Sequence, residues 1–373
     1  MKNVNTQPKE TMCANSDSLF MYFGWPSVTR LPDGTLAMVT SGLRLGHICP
    51  FGKAVISYSR DEGKTWTRPA VVIDTPLDDR DSGIVPFGNG RVIFTSFNNT
   101  TLAQRNWNRH RRFHENPVER AKGDLIDAYL NYIETKDPDV NRFVGSTYCM
   151  SEDGGYTFGE VKIAPVTSPH GPCELSDGTL LWVGRRFSKD DAFDDGSIPY
   201  IQVAKLNEKD EFEVISSIEN IYDAHGIVLS CEPHAIQLPS GKIIVHIRVQ
   251  RYDADKQRTF TIYQSESTDG GKTFSKPRRL LGALGGSPAH LMLHSSGKLI
   301  SVYGYREEPH GIRVMFSDDE GETWDADWIL DASGTNQDLG YPASVELKDG
   351  SILTLYYENV GGVSCIKHNV WKL

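Results

Sequence analysis

Apolar and polar positions along this chain change over in short runs, and the runs come in pairs. An apolar stretch of about eight residues meets Asx-Gly or Ser-Gly, and a second apolar stretch follows. The clearest copy is the last: Leu339 to Leu347, then Lys348-Asp349-Gly350, then Ser351 to Tyr357. The turn glycine recurs at Gly34, Gly90, Gly178, Gly241, Gly297 and Gly350, preceded by Asp33, Asn89, Asp177, Ser240, Ser296 and Asp349. A tight turn needs positive φ at its centre, which is why Asx-Gly between apolar runs signals a hairpin. Successive turn glycines lie 56, 88, 63, 56 and 53 residues apart. Hairpins repeating at this period predict an array of similar sheets, closed into a propeller.

A second motif, Ser-x-Asp-x-Gly-x-Thr-aromatic, runs through the same chain. It spans Ser59 to Trp66, Ser151 to Phe158, Ser267 to Phe274 and Ser317 to Trp324. In such a turn Asp caps backbone N–H groups, Gly takes a positive φ and the aromatic plugs the sheet edge. With these four boxes beside six phased hairpins, the chain resembles the sialidase (neuraminidase) superfamily, whose Asp boxes (BNR repeats) have this form. The resemblance implies an all-β, six-bladed β-propeller covering residues 1–373 as a single domain. The boxes are then structural turns on the rim, away from the chemistry.

The 88-residue interval breaks the rhythm. Residues 101–140 carry a helical pattern, strongest over Val118 to Lys122 and Leu125 to Ile133, and Pro138 closes it. This predicts a helical insertion in blade two that walls a pocket or makes a homo-oligomer contact. Its basic head (Arg105, Arg109, His110, Arg111, Arg112, His114) reads either as a reach toward an anionic ligand or as a solvated face. In blade three the box has decayed to Asn207-Glu208-Lys209-Asp210. The strand from Leu19 to Trp25 is placed innermost in the first blade, and Ser364 to Leu373 is expected to close the ring.

The net charge of −10 argues against a nucleic-acid surface. Met1 to Ser18 is polar without an apolar core, no run reaches the length of a membrane span, and the six cysteines lack Cys-x-x-Cys spacing. The expectation is a cytoplasmic protein with reduced thiols and no membrane partner.

Equal offsets from the turn glycine should form rings at one mouth of a propeller. Nine residues before each glycine stand Trp25, Asp81, Pro169, Glu232, Pro288 and Tyr341. His170 lies one position further on, and His234 and His290 two. Outgoing strands end in Arg44, Arg185 with Arg186, Arg248 and Arg306. Guanidinium groups grip carboxylates bidentately, so an arginine crowd on an acidic protein points to an anionic sugar or acid as partner. Stacking between blades is the competing reading for Arg185 and Arg186.

The resemblance then assigns roles. Glu232, in Cys231-Glu232-Pro233-His234, and Arg248 look like the family's glutamate strand with its following arginine. Tyr341, in Gly340-Tyr341-Pro342, looks like the nucleophile, and Arg306 like a further carboxylate-binding arginine. A phenol is a poor nucleophile until a neighbouring carboxylate accepts its proton. Two departures stand out. The family's Phe-Arg-Ile-Pro reads Phe23-Gly24-Trp25-Pro26 here, so the first arginine is missing unless Arg44 compensates. The interval after Arg44 holds no acid but His47, leaving His47 or Asp81 as the acid/base. Trp25, His170 and His290 are candidate substrate contacts.

No zinc motif and no cofactor motif occurs, and none is expected. The leading expectation is an exo-acting glycoside hydrolase for a terminal anionic sugar: a sialic acid, another ulosonic acid or a uronic acid. The alternatives are a uronide lyase using Tyr341 or His47 with arginine, and a non-catalytic carbohydrate-binding propeller.

Overall fold

The computed structural model describes residues 2–6, 10–12, 18–187, 197–223, 226–252, 258–280 and 286–373. Cys13 lies outside them. All six turn glycines adopt positive φ, from +74° at Gly350 to +92° at Gly90. The apolar runs on either side pair as antiparallel strands, as in Leu339–Glu346 with Ile352–Val360.

Among the described residues four sheets hold four or five strands each, one holds nine, and Tyr222–Asp223 pairs with Gly226–Ile227 in a sheet of two. The strands leading into the hairpins touch one another in cyclic order. Tyr22–Arg30 lies against Arg80–Phe87, that strand against Cys173–Glu174, and Leu229–Gln237, Gly286–Leu293 and Leu339–Glu346 follow. The last of these returns to Tyr22–Arg30, so the all-β array is a closed propeller. Buried Val, Ile and Leu from adjacent sheets fill the spaces between them, with Ile243, Val245 and Ile247 meeting Leu181, Val183 and Val203.

The nine-stranded sheet runs from Leu339–Glu346 through Val363–Lys372 and then on to Tyr22–Arg30 and Ala70–Ile73. Its two parts meet at a single parallel pair, Ser364 with Tyr22. The chain's end therefore pairs chiefly with Ile352–Val360 rather than with the first hairpin. Short N-terminal strands, Asn5–Thr6 and Glu10–Met12, pair along its other edge, while Lys2–Asn3 joins Asp325–Asp331. Both ends of the chain take part in closing the ring.

The Asp boxes staple neighbouring sheets. In each, a serine hydroxyl accepts from the glycine N–H and the aspartate accepts from the threonine N–H and hydroxyl; in the first these lengths are 2.9, 2.9 and 2.6 Å. The glycine backbone then presses on the preceding hairpin. A Cβ on Gly63 would come within 2.8 Å of Leu353, and one on Gly321 within 2.7 Å of Ile244.

Two helices, α1 (Thr101–Arg112) and α2 (Pro117–Lys136), lie between the paired strands Arg91–Phe97 and Ser146–Ser151. Thr100 and Asn116 cap them, and Pro117 opens the second. Ile126, Leu130 and Ile133 of α2 pack with Leu45, Cys49 and Leu77, so the helices buttress the loop after Leu36–Arg44. The basic head is partly neutralised within the pair, by Arg105 with Glu134, Arg111 with Glu119 and Arg112 with Asp127. Among the described residues no helix is long and apolar enough to cross a membrane.

Candidate active site

Four of the six positions at the ninth place before a turn glycine share one backbone conformation. Trp25, Asp81, Glu232 and Tyr341 have φ of +54°, +51°, +47° and +49°. Each sits where its strand's register slips against the hairpin partner. A bulge of this kind re-aims a side chain, here toward the ring's centre. Holding a non-glycine residue left-handed costs of order 1–3 kcal/mol, and such strain gathers at functional sites. Pro169 and Pro288 hold the other two places, where a ring-locked φ forbids that conformation.

At the centre, Tyr341 Oη donates to Glu232 Oε1 at 2.8 Å. Arg248 Nη1 donates to Glu232 Oε2 and, at 3.2 Å, to Tyr341 Oη. Its Nη2 donates to Gln250 Oε1 at 3.1 Å. Burial and the Glu232 charge push the Tyr341 phenol well above its ordinary value, so it stays protonated until a base takes the proton. Burial works against the Glu232 carboxylate, but Arg248, the Tyr341 hydrogen bond and Arg306 outweigh it and hold the carboxyl below its usual range.

Arg306 lies 5.6 Å from the Tyr341 ring centre and spends Nε and one Nη2 hydrogen on the Leu339 carbonyl, at 3.1 and 3.0 Å. The Phe260 ring backs both arginines, 4.9 Å from Arg248 and 5.5 Å from Arg306.

Asp81 faces the same centre. Its buried carboxyl is pushed up to about 7, first by burial and then by the Glu232 charge, with Arg80, Arg44 and Arg248 pulling the other way. Arg80, next in sequence, has Nε 3.2 Å from Asp78 Oδ2 and stacks over Phe97 at 4.7 Å.

On the flank, Tyr22, Trp25, His47 and Tyr357 form an aromatic wall beside Tyr341. The Trp25 ring stands edge-on to His47 at 4.9 Å and to Tyr341 at 6.3 Å. A carboxylate lies behind the wall. Asp338 accepts from Tyr22 Oη at 3.0 and 3.1 Å, from Tyr357 Oη at 2.9 Å and from Asn359 Nδ2 at 3.1 Å, and lies 3.1 Å from His47 Nδ1.

The family model for the BNR repeat-like domain matches residues 97–354. The chain belongs to that family. Solved structures at low identity share its fold across nearly its whole length. A protein of unknown function from Dyadobacter fermentans superposes with a TM-score of 0.73 at 20% identity, each chain covered completely. The intramolecular trans-sialidase of Ruminococcus gnavus gives 0.65 at 15%, covering 98% of this chain and 97% of that one. A leech intramolecular trans-sialidase gives 0.66 at 14%, covering 99% and 70%. No curated protein matches in sequence.

Within this BNR-repeat propeller the residues singled out from sequence fall into three groups. Tyr341, Glu232, Arg248, Arg306 and Asp81 come together at the ring's centre. His47 stands at its edge with 46% of its side chain exposed.

The second group is close by but occupied. Arg44 is fully buried and all five of its N–H groups are committed: to Gly46 O, Ser41 Oγ, Asp79 O, His47 O and Asp78 Oδ1. With no donor left for a ligand, it anchors the loop that carries His47, which corrects the expectation that it replaces the missing arginine. Trp25 is only 2% exposed, so it packs the wall rather than lining open space.

The third group lies deeper on the axis. His170 stacks edge-on against His234 and His290 at 5.3 and 5.0 Å, and its Nδ1 is 2.8 Å from Ser27 Oγ. His234 and His290 accept backbone N–H groups from Leu291 and Ser344. Burial pushes all three imidazoles below their ordinary range, so they form a neutral plug.

Sequence reasoning missed Arg80, Asp338, Tyr22 and Tyr357. Arg80 had a signal: it stands ten places before its turn glycine, the same place that Gly24 takes one repeat earlier.

Proposed function

We propose that this protein is a glycoside hydrolase acting from the end of a chain on a terminal anionic sugar, with Tyr341 as nucleophile. The observation that carries the reading is the short bond from the Tyr341 hydroxyl to Glu232, with Arg248 bridging both. An activated phenol has little use in a purely binding protein. The similar structures that include trans-sialidases support the substrate class, an acidic sugar.

In this reading the carboxylate of the sugar lies against Arg248, Arg306 and Arg80, whose forks match a planar anion. Arg80 stands in for the arginine that Gly24 lacks. A Cβ at Gly24 would already meet Tyr22 Cε1 at 3.2 Å and Tyr357 Cδ2 at 3.7 Å, so the aromatic wall fills the space of a longer side chain. Glu232 takes the phenolic proton as Tyr341 Oη bonds to the anomeric carbon. A neutral phenol approaches an anionic sugar without the repulsion that a carboxylate would meet. Asp81 gives its proton to the departing oxygen, a role suited to a carboxyl titrating near neutrality. The remaining parts of the reading are six blades forming one domain, the nine-stranded sheet counting as two, with the helices inserted in the second.

The test is release of methylumbelliferone from its N-acetylneuraminide at neutral pH. Release that falls by at least about 10²-fold in Tyr341→Phe and in Glu232→Gln supports the reading. Release that persists in Tyr341→Phe excludes Tyr341 as nucleophile. An ultraviolet-absorbing unsaturated product from a uronide, with no hydrolysis, marks a lyase instead.

A further inference from the structure

Asp338 is a partly buried carboxylate with no role in the glycosyl-transfer steps, and it meets His47 through a network whose protons can be assigned. The Tyr22 hydroxyl has one hydrogen, and it points at Asp338, 3.0 and 3.1 Å from the two carboxylate oxygens. Tyr22 Oη is also 2.9 Å from His47 Nδ1, and with its hydrogen committed it meets that nitrogen as an acceptor. The other neighbour of Nδ1 is Asp338 Oδ1 at 3.1 Å. Asp338 already accepts from Tyr22, Tyr357 and Asn359, the donor set of an ionised carboxylate. Both atoms facing Nδ1 are therefore acceptors, so Nδ1 carries the hydrogen, and in the neutral ring Nε2 is bare.

The rest of the surroundings fixes the ring. Trp25 stands edge-on to it at 4.9 Å. Arg44 holds the loop backbone through the His47 and Gly46 carbonyls at 2.8 and 3.3 Å. Asp338 directly precedes the strand Leu339–Glu346, which presents Tyr341, so nucleophile and network share one rigid element.

We infer that Asp338 and His47 form a dyad in which Asp338 is a positioning residue and the bare His47 Nε2 is the base that activates water in the second half of the reaction. This rests on the Tyr341 reading. The water oxygen bonds to the anomeric carbon as the bond to Tyr341 Oη breaks, and the leaving phenolate recovers its proton from Glu232. The proton of the water passes to Nε2. His47 then releases that proton to solvent, and Asp81 regains from solvent the one it gave to the leaving group.

The charged and titratable groups facing His47 are Asp338, Tyr22, Arg80 and Arg44. Desolvation against the packed wall lowers the imidazole pKa most, although 46% of the side chain stays exposed; Asp338 raises it, and Arg80 and Arg44 lower it again. The net position is below the ordinary value, which favours a neutral ring at neutral pH.

The experiment is imidazole nitrogen–proton correlation on protein labelled with nitrogen-15 histidine. His47, one of eleven histidines, is assigned by its loss in His47→Gln. The wild type should show an Nδ1–H tautomer at neutral pH. An Nε2–H tautomer or an imidazolium there overturns the dyad, whatever the activity, and needs no variant at Asp338. In Asp338→Asn the amide turns a donor toward the surrounding hydroxyls, so the tautomer should change and kcat should fall by about 10²-fold or more with KM nearly constant. The acid limb of the kcat profile should also move to lower pH, because the group that raised the imidazole pKa is gone. A changed tautomer with an unchanged kcat profile overturns the base role. Loss of Tyr341 dependence in the glycoside assay would sink the underlying reading and leave the tautomer result standing.

Discussion

A few residues here give up stability to be where they are. Asp81 combines a strained left-handed backbone with burial and the neighbouring charge of Glu232, the last two unfavourable to an ionised carboxylate. Its folded pKa, about 7, lies above the 3.8 of an unperturbed aspartate, so the folded state binds the proton more tightly. Asp81 therefore disfavours folding progressively as pH rises from about 4 to about 7, and fully above that. Asp81→Asn should raise the melting temperature at pH 8 more than at pH 5, measured by calorimetry, while abolishing the proposed acid step. In the wild type kcat/KM should fall above about pH 7 as Asp81 ionises, and fall in acid, below the ordinary carboxylate range, as Glu232 takes up its proton. A profile that stays flat through pH 8 would remove Asp81 from the acid role. That Tyr341, Glu232 and Asp81 share the centre could be read from sequence because the repeat gives each the same offset, and equal offsets converge in a closed ring; Arg248 came from the family resemblance. Arg44 was misread for a physical reason. Offset places a guanidinium near the mouth but does not reveal that the Gly46, His47 and Asp79 carbonyls, Ser41 and Asp78 already saturate it.

At the scale of elements, turns and boxes do different work with the same residue type. Gly241, in a hairpin turn, has φ of +88° and nothing near its missing Cβ. Gly321, in a box, has φ of +82° and Ile244 Cδ1 at 2.7 Å from that position. Gly241→Ala should cost only the left-handed backbone term, about 1–2 kcal/mol. Gly321→Ala should cost more, by roughly 1–3 kcal/mol, because it also overpacks the contact between sheets. Urea unfolding of the two variants measures the difference, and equal losses would contradict the stapling role. Both kinds of turn, and the helical pair, could be read from sequence because Asx-Gly and helical periodicity are local signals. The pairing of the N-terminal strands with Val363–Lys372 was not, since a strand of two or three residues carries no periodicity to read.

The whole molecule is a scaffold that converts a one-dimensional repeat into a ring of inward-facing side chains. The four left-handed positions keep the repeat's place but hold four different residues, so the fold is repetitive while the centre is not. That is why the propeller could be predicted from spacing while the Asp338 network could not. Tyr22, His47, Asp338 and Tyr357 come from the two ends of the chain and meet only because the ring closes between Tyr22 and Ser364. The central claim is that this closure sets Tyr341 against Glu232 as a nucleophile, and a covalent trap tests it most directly. After incubation with a fluorinated sialyl fluoride, whose glycosyl-enzyme decomposes slowly, mass spectrometry of the digested protein should find the sugar on Tyr341. The adduct should disappear in Tyr341→Phe. A sugar attached to another residue, or turnover of the glycoside with no adduct on Tyr341, would contradict the account.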